Sequence, residues 1–176
     1  MRLLSKWIHP ATPQTYSRVY ERKAARAIVL DGSQILLLYT KRYNDYSFPG
    51  GGIDPDEEVM EGLKRELTEE TGARNINVIS EYGYIDEYRP HYKPEYDVIH
   101  MLSYFYICEI DRELGDAQME DYETSNGMSA VWVDLQQAIA HNRQVMNAKE
   151  ASMGLSIERE TYVLELVAKE LLDQAG

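Results

Sequence analysis

A layered α/β or α+β domain built on a mixed β-sheet is the fold class the sequence predicts, and two observations predict it. Short apolar, β-rich runs alternate along the chain with segments of helical periodicity. No internal repeat, low-complexity tract or Pro/Gly/Ser-rich linker divides the 176 residues, so one domain over 1–176 is expected. A chain of this length buries roughly 70% of the surface its unfolded form exposes, which is enough core to fold without a staple.

Residues 24–30 and 34–39 read as antiparallel strands around the turn signal Asp31-Gly32, where glycine tolerates positive φ. Residues 46–48 form a short strand before Pro49, and the run Gly50-Gly51-Gly52 leaves a backbone open to close approach. Residues 75–85 and 98–110 are longer strands, the second rich in aromatic and β-branched side chains. A polar, tyrosine-rich connection over 86–97 joins them. Residues 130–133 give a short strand and 135–141 a helix. Over 157–173, Tyr162, Leu166 and residues 169–172 alternate in helical register with Glu158, Glu160 and Glu165, which predicts a helix laying an apolar stripe on the sheet.

Composition narrows the function classes. Thirty acidic residues against eighteen basic give a net charge of −12, which argues against a wide phosphate-backbone interface and so against long nucleic acid as a partner. That acidity suits a site recruiting divalent cations, and it suits plain solubility equally. Cys108 is the single cysteine, so no internal disulfide forms, no Cys/His cluster has zinc spacing, and a reducing cytoplasm is the expected compartment. The N-terminal residues carry no export pattern, and no apolar run approaches the roughly 20 residues that span a bilayer, so no membrane role is expected.

The informative segment is residues 51–73. Asp54 can cap a helix there, Pro55 fits its first turn, Glu57 stands where a capping-box carboxylate reaches back, and Gly72 supplies the residue that stops it. At about 100° per residue Met60, Leu63 and Leu67 fall on one side, and Glu66, Glu69 and Glu70 on another. Residues at i, i+3 and i+4 are about 5–6 Å apart at Cβ, so these carboxylates repel unless a cation compensates them. Magnesium, which takes a few carboxylates plus phosphate oxygens and keeps several waters, matches a one-sided cluster. Gly62, near the same face, makes room for a neighbouring loop or for a ligand, with packing the favoured reading.

Gly51, Glu57, Arg65, Glu66, Leu67, Glu69, Glu70 and Gly72 together reproduce the pattern G-x5-E-x7-R-E-U-x-E-E-x-G-U, where U is a bulky aliphatic. The segment resembles the box of the Nudix hydrolase superfamily, with Ala73 the one departure. The resemblance implies a Nudix-like α/β/α sandwich with a central mixed β-sheet. It implies Mg2+ or Mn2+ held by Glu66 and Glu70, with Glu69 sharing the site and Gly51 adding a backbone carbonyl. Arg65 would orient the glutamates, and Glu57 would pair with it or bind a second ion. Water would attack a phosphorus of a nucleoside diphosphate linked to another group, so the partner is a small nucleotide-like molecule. A homodimer is common among such proteins, though no residue here specifies one.

Outside the box, Glu123 is the candidate general base or else a loop surface charge, with Glu120 and Glu87 behind it. Arg26, Lys41 and Arg42 are candidates for substrate phosphates or simply exposed cations. Tyr84, Tyr88, Tyr92 and Tyr96, spaced by four, are candidates to stack a base or to pack with a wet hydroxyl. ADP-ribose, nucleotide sugars, dinucleoside polyphosphates and nucleoside triphosphates all remain open as substrates. Two alternatives stand beside hydrolysis: a non-catalytic nucleotide-binding or regulatory module, and an isoprenoid diphosphate isomerase, for which Cys108 is badly placed.

Overall fold

The computed structural model describes residues 1–172. Among them, nine strands and four helices follow one another along the chain. β1 (Leu3–Ile8), β2 (Val19–Ile28), β3 (Leu30–Asp31), β4 (Gln34–Thr40), β5 (Asp45–Ser47) and β6 (Gly50–Gly52) precede α1 (Val59–Thr71). Then come β7 (Asn77–Pro90), β8 (Val98–Glu109), α2 (Asp121–Ser125), β9 (Met128–Asp134), α3 (Leu135–Ala148) and α4 (Ile157–Val167), which widens into a π-helical turn over Ala168–Leu172. The expected central mixed sheet is present, in the order β1-β7-β8-β2-β6, with β1 parallel to β7, β2 parallel to β8, and the other pairs antiparallel. Beside it lies a smaller antiparallel sheet in which β4 pairs with β3 and β5, and with β9.

Alternation along the strands sorts the core into two layers. Ala25, Ala27 and Val29 of the β2 segment and Leu36 of β4 pack with Leu63 and Leu67 of α1. Ile28, Ile35 and Leu37 point the other way, onto Leu135 and Ile139 of α3 and Val163, Leu164 and Val167 of α4. Helices therefore cover opposite faces, as in an α/β/α sandwich. Phe48 and Phe105, both fully buried, meet edge to face at 5.3 Å in the α3–α4 layer, a favoured aromatic geometry.

Several elements differ from expectation. β2 is ten residues long because β8 pairs with it from Val19 to Ile28, and the chain then crosses at Val29 into the smaller sheet. The hairpin at Gly32 (φ +60°) is therefore made by the two-residue β3, not by the whole preceding strand. β7 runs on to Pro90 through what reads as a polar connection, since β1 and β8 both supply its ladder partners. β1 itself carries no clear sequence signal. α3 continues to Ala148, well past residue 141. The end of the last expected helix, at residue 173, lies outside the described residues.

α1 begins four residues later than its capping signals suggest. Residues 54–58 form a turn in which the Glu57 N–H donates to the Asp54 carbonyl at 3.0 Å and the Glu57 carboxylate accepts from the Asp54 N–H at 3.2 Å. The reach-back contact exists, but it closes a loop ahead of the helix, whose N-cap is Glu58. Gly62 lets that loop sit close: a Cβ there would lie 2.8 Å from Glu57 Oε2 and 2.5 Å from Ile53 Cδ1. Packing is thus its role. Gly72 ends α1 at φ 70°, as expected, and its carbonyl accepts from the Gly115 N–H at 2.7 Å.

Candidate active site

The glycine strand β6 pairs with β2, setting Gly50, Gly51 and Gly52 opposite Arg26, Ala25 and Ala24. α1 crosses beside β6, and its spacing turns Glu66 and Glu70 toward the glycines. A Cβ on Gly51 would stand 2.7 Å from Glu66 Oε2, so only glycine admits the carboxylate so close to the backbone. The Gly50 N–H donates to Glu70 Oε2 at 2.7 Å. The resulting cleft is lined by these residues together with Glu123, Arg22, Arg26, Asp45, Tyr122 and Glu160.

Arg65 organises the carboxylates through several charge-assisted contacts. Its Nε donates to Glu57 Oε1 at 2.8 Å and its Nη2 to Glu57 Oε2 at 3.1 Å, a bidentate pair. Its Nη1 donates to Glu66 Oε1 at 2.8 Å and to Glu69 Oε2 at 3.3 Å. Glu57 is thereby drawn below the usual carboxylate range by Arg65, and by the Asp54 N–H. Glu69 remains half-exposed and outside the cleft lining, so the three glutamates of one helical face divide: Glu66 and Glu70 turn inward, Glu69 outward.

Glu70 is the electrostatic extreme of the site. Burial pushes its carboxyl up to about 9, against the pull of the Gly50 N–H, and the neighbouring Glu123 and Glu66 charges push the same way. Glu66 is raised as well, mainly by burial, with Arg65 opposing. Glu123 is not a surface charge: it is 4% exposed. α2 fixes it, because the Glu120 N–H donates to Glu123 Oε2 at 2.8 Å and the Tyr122 hydroxyl donates to Oε1 at 3.2 Å. Among the described residues, no three His, Cys, Asp or Glu side chains are already gathered as a metal cage. The donor set still fits a hard cation. Glu66, Glu70 and Glu123 bring three carboxyl groups to one partly desolvated cleft, where a cation would take the place of the proton that burial holds on Glu70, and the single box guanidinium is shared among Glu57, Glu66 and Glu69.

The other expected residues are distributed unevenly. Arg26 lines the cleft, but it is committed: its Nη1 donates to the Phe48 carbonyl at 3.3 Å and its Nε lies 3.6 Å from Glu160 Oε1. Lys41 and Arg42 are exposed in the turn after β4, outside the cleft lining, and Arg42 donates to the Asn126 side chain at 3.0 Å. Their neighbours Thr40 and Tyr43 do line the cleft, so the turn stands at its edge with these two cations directed away from the lining. Glu120 is exposed at the N-cap of α2, and Glu87 is buried in an ion pair with Arg159 at 2.9 Å.

Sequence reasoning misses Arg22, which lies over Gly52 and has no carboxylate within ion-pair reach among the described residues. Two-residue alternation from Arg26 along β2 would place it on the same face. It also misses Asp45, pushed up to about 6 chiefly by burial, and Glu160, which is 1% exposed rather than solvated. Glu160 accepts from Arg159 at 3.0 Å and from the Phe48 N–H at 2.9 Å. Arg159 is its neighbour in sequence, but no local pattern announces the Phe48 N–H or Arg26, which come from segments more than a hundred residues earlier. Cys108 lies in the α1-side layer, outside the cleft, with its thiol raised to about 12 by burial.

Comparison with known proteins accords with this geometry. The model of the NUDIX domain matches residues 21–153. An RNA pyrophosphohydrolase of Bartonella henselae is 49% identical over 45 residues, covering 26% of this chain and 26% of that protein. An RNA pyrophosphohydrolase of Campylobacter jejuni is 40% identical over 67 residues, covering 35% of this chain and 43% of that one. The chain thus spans between about a quarter and less than half of the length of these curated relatives. Among solved structures, a NUDIX hydrolase from Nitrosomonas europaea aligns at TM-score 0.51 and 15% identity, covering 85% of this chain and 91% of that one. A mutator MutT protein from Bacillus halodurans aligns at 0.50 and 18%, covering 82% and 80%. At such identity these two speak for the fold alone.

Proposed function

The chain belongs to the NUDIX family, and from that premise we propose that it is a metal-dependent hydrolase of a diphosphate linkage in a small nucleotide-like substrate. The observation that carries this reading is the convergence of Glu66, Glu70 and Glu123, from two separate helices, on one glycine-floored cleft that Arg22 also lines. Glu66 and Glu70 would hold Mg2+ or Mn2+ with the Gly51 backbone beside them, while Glu69, turned outward, meets the site through Arg65. The bound cation would neutralise charge on the phosphate oxygens and lower the pKa of the attacking water.

The chain's own residues do the rest. Arg65 keeps Glu57 and Glu66 in place, so Glu57 serves as its anchor. Glu123 has Oε2 tied to the Glu120 N–H, and Oε1, which accepts from the Tyr122 hydroxyl and keeps a second lone pair, is where a proton from water would be received. Arg22 supplies a cation for a substrate phosphate, a part that Arg26 cannot play while paired with Glu160. Gly50–Gly52 admit the phosphates close to backbone. No described helix is long and apolar enough to cross a membrane, and the single cysteine, Cys108, supports a reducing cytoplasm as the compartment.

A second substrate reading is favoured by the relatives, both named as RNA pyrophosphohydrolases: the 5′-triphosphorylated end of an RNA. A net charge of −12 disfavours a long backbone track but not the first one or two nucleotides.

The test is release of nucleoside monophosphate or pyrophosphate from ADP-ribose, nucleotide sugars, dinucleoside polyphosphates, nucleoside triphosphates and a 5′-triphosphorylated oligoribonucleotide, with Mg2+ or Mn2+. Metal-dependent turnover that falls by on the order of a hundredfold in Glu70→Gln is expected. Tight metal-dependent binding of one member without turnover would instead make the protein a binding module.

A further inference from the structure

A second cavity, of about 250 Å3, opens between β2 and the loop joining β7 to β8. It adjoins the cleft: Arg22 lines both, and Leu155 on its wall is followed by Ser156 on the wall of the cleft. In a chain with thirty acidic residues against eighteen basic, Arg22, Arg89 and Lys93 line it and, among the described residues, no carboxylate does, although Arg89 Nη1 lies 3.9 Å from Glu87 Oε1 behind the wall. Its other surfaces are aromatic. The Tyr20 ring lies 5.1 Å from His91 and 5.1 Å from Tyr96, and His91 lies 5.1 Å from Tyr96. Tyr20 remains 39% exposed, and Leu155, at 73%, presents an apolar side chain to solvent at the rim.

Aromatic walls with cations and no anions select a flat, anionic ligand, since ring faces accept a π-system and guanidinium groups accept phosphate oxygens. Resting on the hydrolase reading above, we infer that this cavity is the seat of the substrate's nucleobase, with Arg22 on the phosphate next to the nucleoside. The diphosphate then runs past Arg22 into the carboxylate cleft. Pro90 and the tyrosines of the loop set the base end, and Gly50–Gly52 set the reacting end. The base is held by ring faces rather than by a set of edge-directed hydrogen bonds, so discrimination among bases is weak.

The experiment is saturation-transfer NMR and equilibrium titration with ADP, GDP, CDP and UDP, in wild type and in Tyr20→Ala/Tyr96→Ala. Base-ring protons should receive saturation in wild type, and the double variant should lose this and bind about 10-fold to 100-fold more weakly. Tyr96→Phe should bind as wild type, since the ring and not the hydroxyl is used, and matched melting temperatures will separate lost contact from lost fold. Base protons that stay dark in wild type, or affinity unchanged in the double variant, would overturn the assignment. Because the readout is binding of diphosphates, failure of hydrolysis in the substrate panel leaves this result independent. Conversely, turnover that persists in the double variant with an unchanged KM overturns the base site and leaves the hydrolase reading standing.

Discussion

Two clusters of charged side chains meet at the same cleft, and they are built on opposite terms. On α1, one guanidinium, Arg65, serves Glu57, Glu66 and Glu69, while Glu70 and Glu123 add further carboxylates nearby. On the other wall, Arg26, Arg89 and Arg159 pair with Glu87 and Glu160, with Arg159 2% and Glu160 1% exposed. The first cluster has more carboxyl groups than guanidinium groups and is partly open; in the second every carboxylate has a guanidinium partner and both are buried. An unbalanced cluster has use for a cation from solution, whereas a balanced buried one fixes where β2, β7 and α4 meet.

The largest expected effect tests the balanced wall. Arg159→Met would leave Glu87 without its buried partner and should lower unfolding free energy by about 3–5 kcal/mol in urea denaturation. A loss under about 1 kcal/mol would mean the network is not structural. Arg65→Lys keeps a charge but loses the bidentate hold on Glu57. It should lower metal affinity or activity by about 10-fold to 100-fold while the melting curve barely moves. If stability collapsed instead, the two clusters would not differ in kind.

Legibility in the sequence follows the same division. Glu66, Glu69 and Glu70 lie within five residues, and helical geometry alone brings them together, so the box can be read from local spacing. Glu160 and Arg159 are brought to Glu87 and Arg26 by sheet order and by the docking of α4, which no local periodicity encodes. Glu160 therefore reads as one more solvated glutamate of an amphipathic helix. Strand β1 escapes for a similar reason, since it is held by parallel pairing with β7, about 80 residues away, and not by its own pattern. The start of α1 misleads in a different way: the capping-box residues are real, but Arg65 pulls Glu57 into a loop ahead of the helix.

Gly62→Ala should cost about 1–3 kcal/mol, because the new methyl meets Ile53 and Glu57. Differential calorimetry would show this, and an unchanged Tm would say the loop over residues 53–57 moves freely. The smallest effect is in pH. Glu70 titrates near 9 in the folded protein and about 4.5 unfolded, so the folded state holds the extra proton between those values. The stability it contributes is full below about 4.5 and is lost as pH rises toward 9. Metal-free wild type should therefore lose stability across that window more steeply than Glu70→Gln. A parallel pair of pH curves would show that Glu70 is not the proton-holding group.

The central claim is that the unbalanced cluster, and not the balanced one, takes a divalent cation. Calorimetric titration of Mn2+ into wild type, Glu66→Gln and Glu160→Gln at fixed pH tests it most directly, with circular dichroism to establish that each variant is folded. The account predicts clear binding in wild type and in Glu160→Gln, and binding weakened by on the order of ten- to a hundredfold or lost in Glu66→Gln. Equal Mn2+ affinity in wild type and Glu66→Gln, or its loss only in Glu160→Gln, would contradict it.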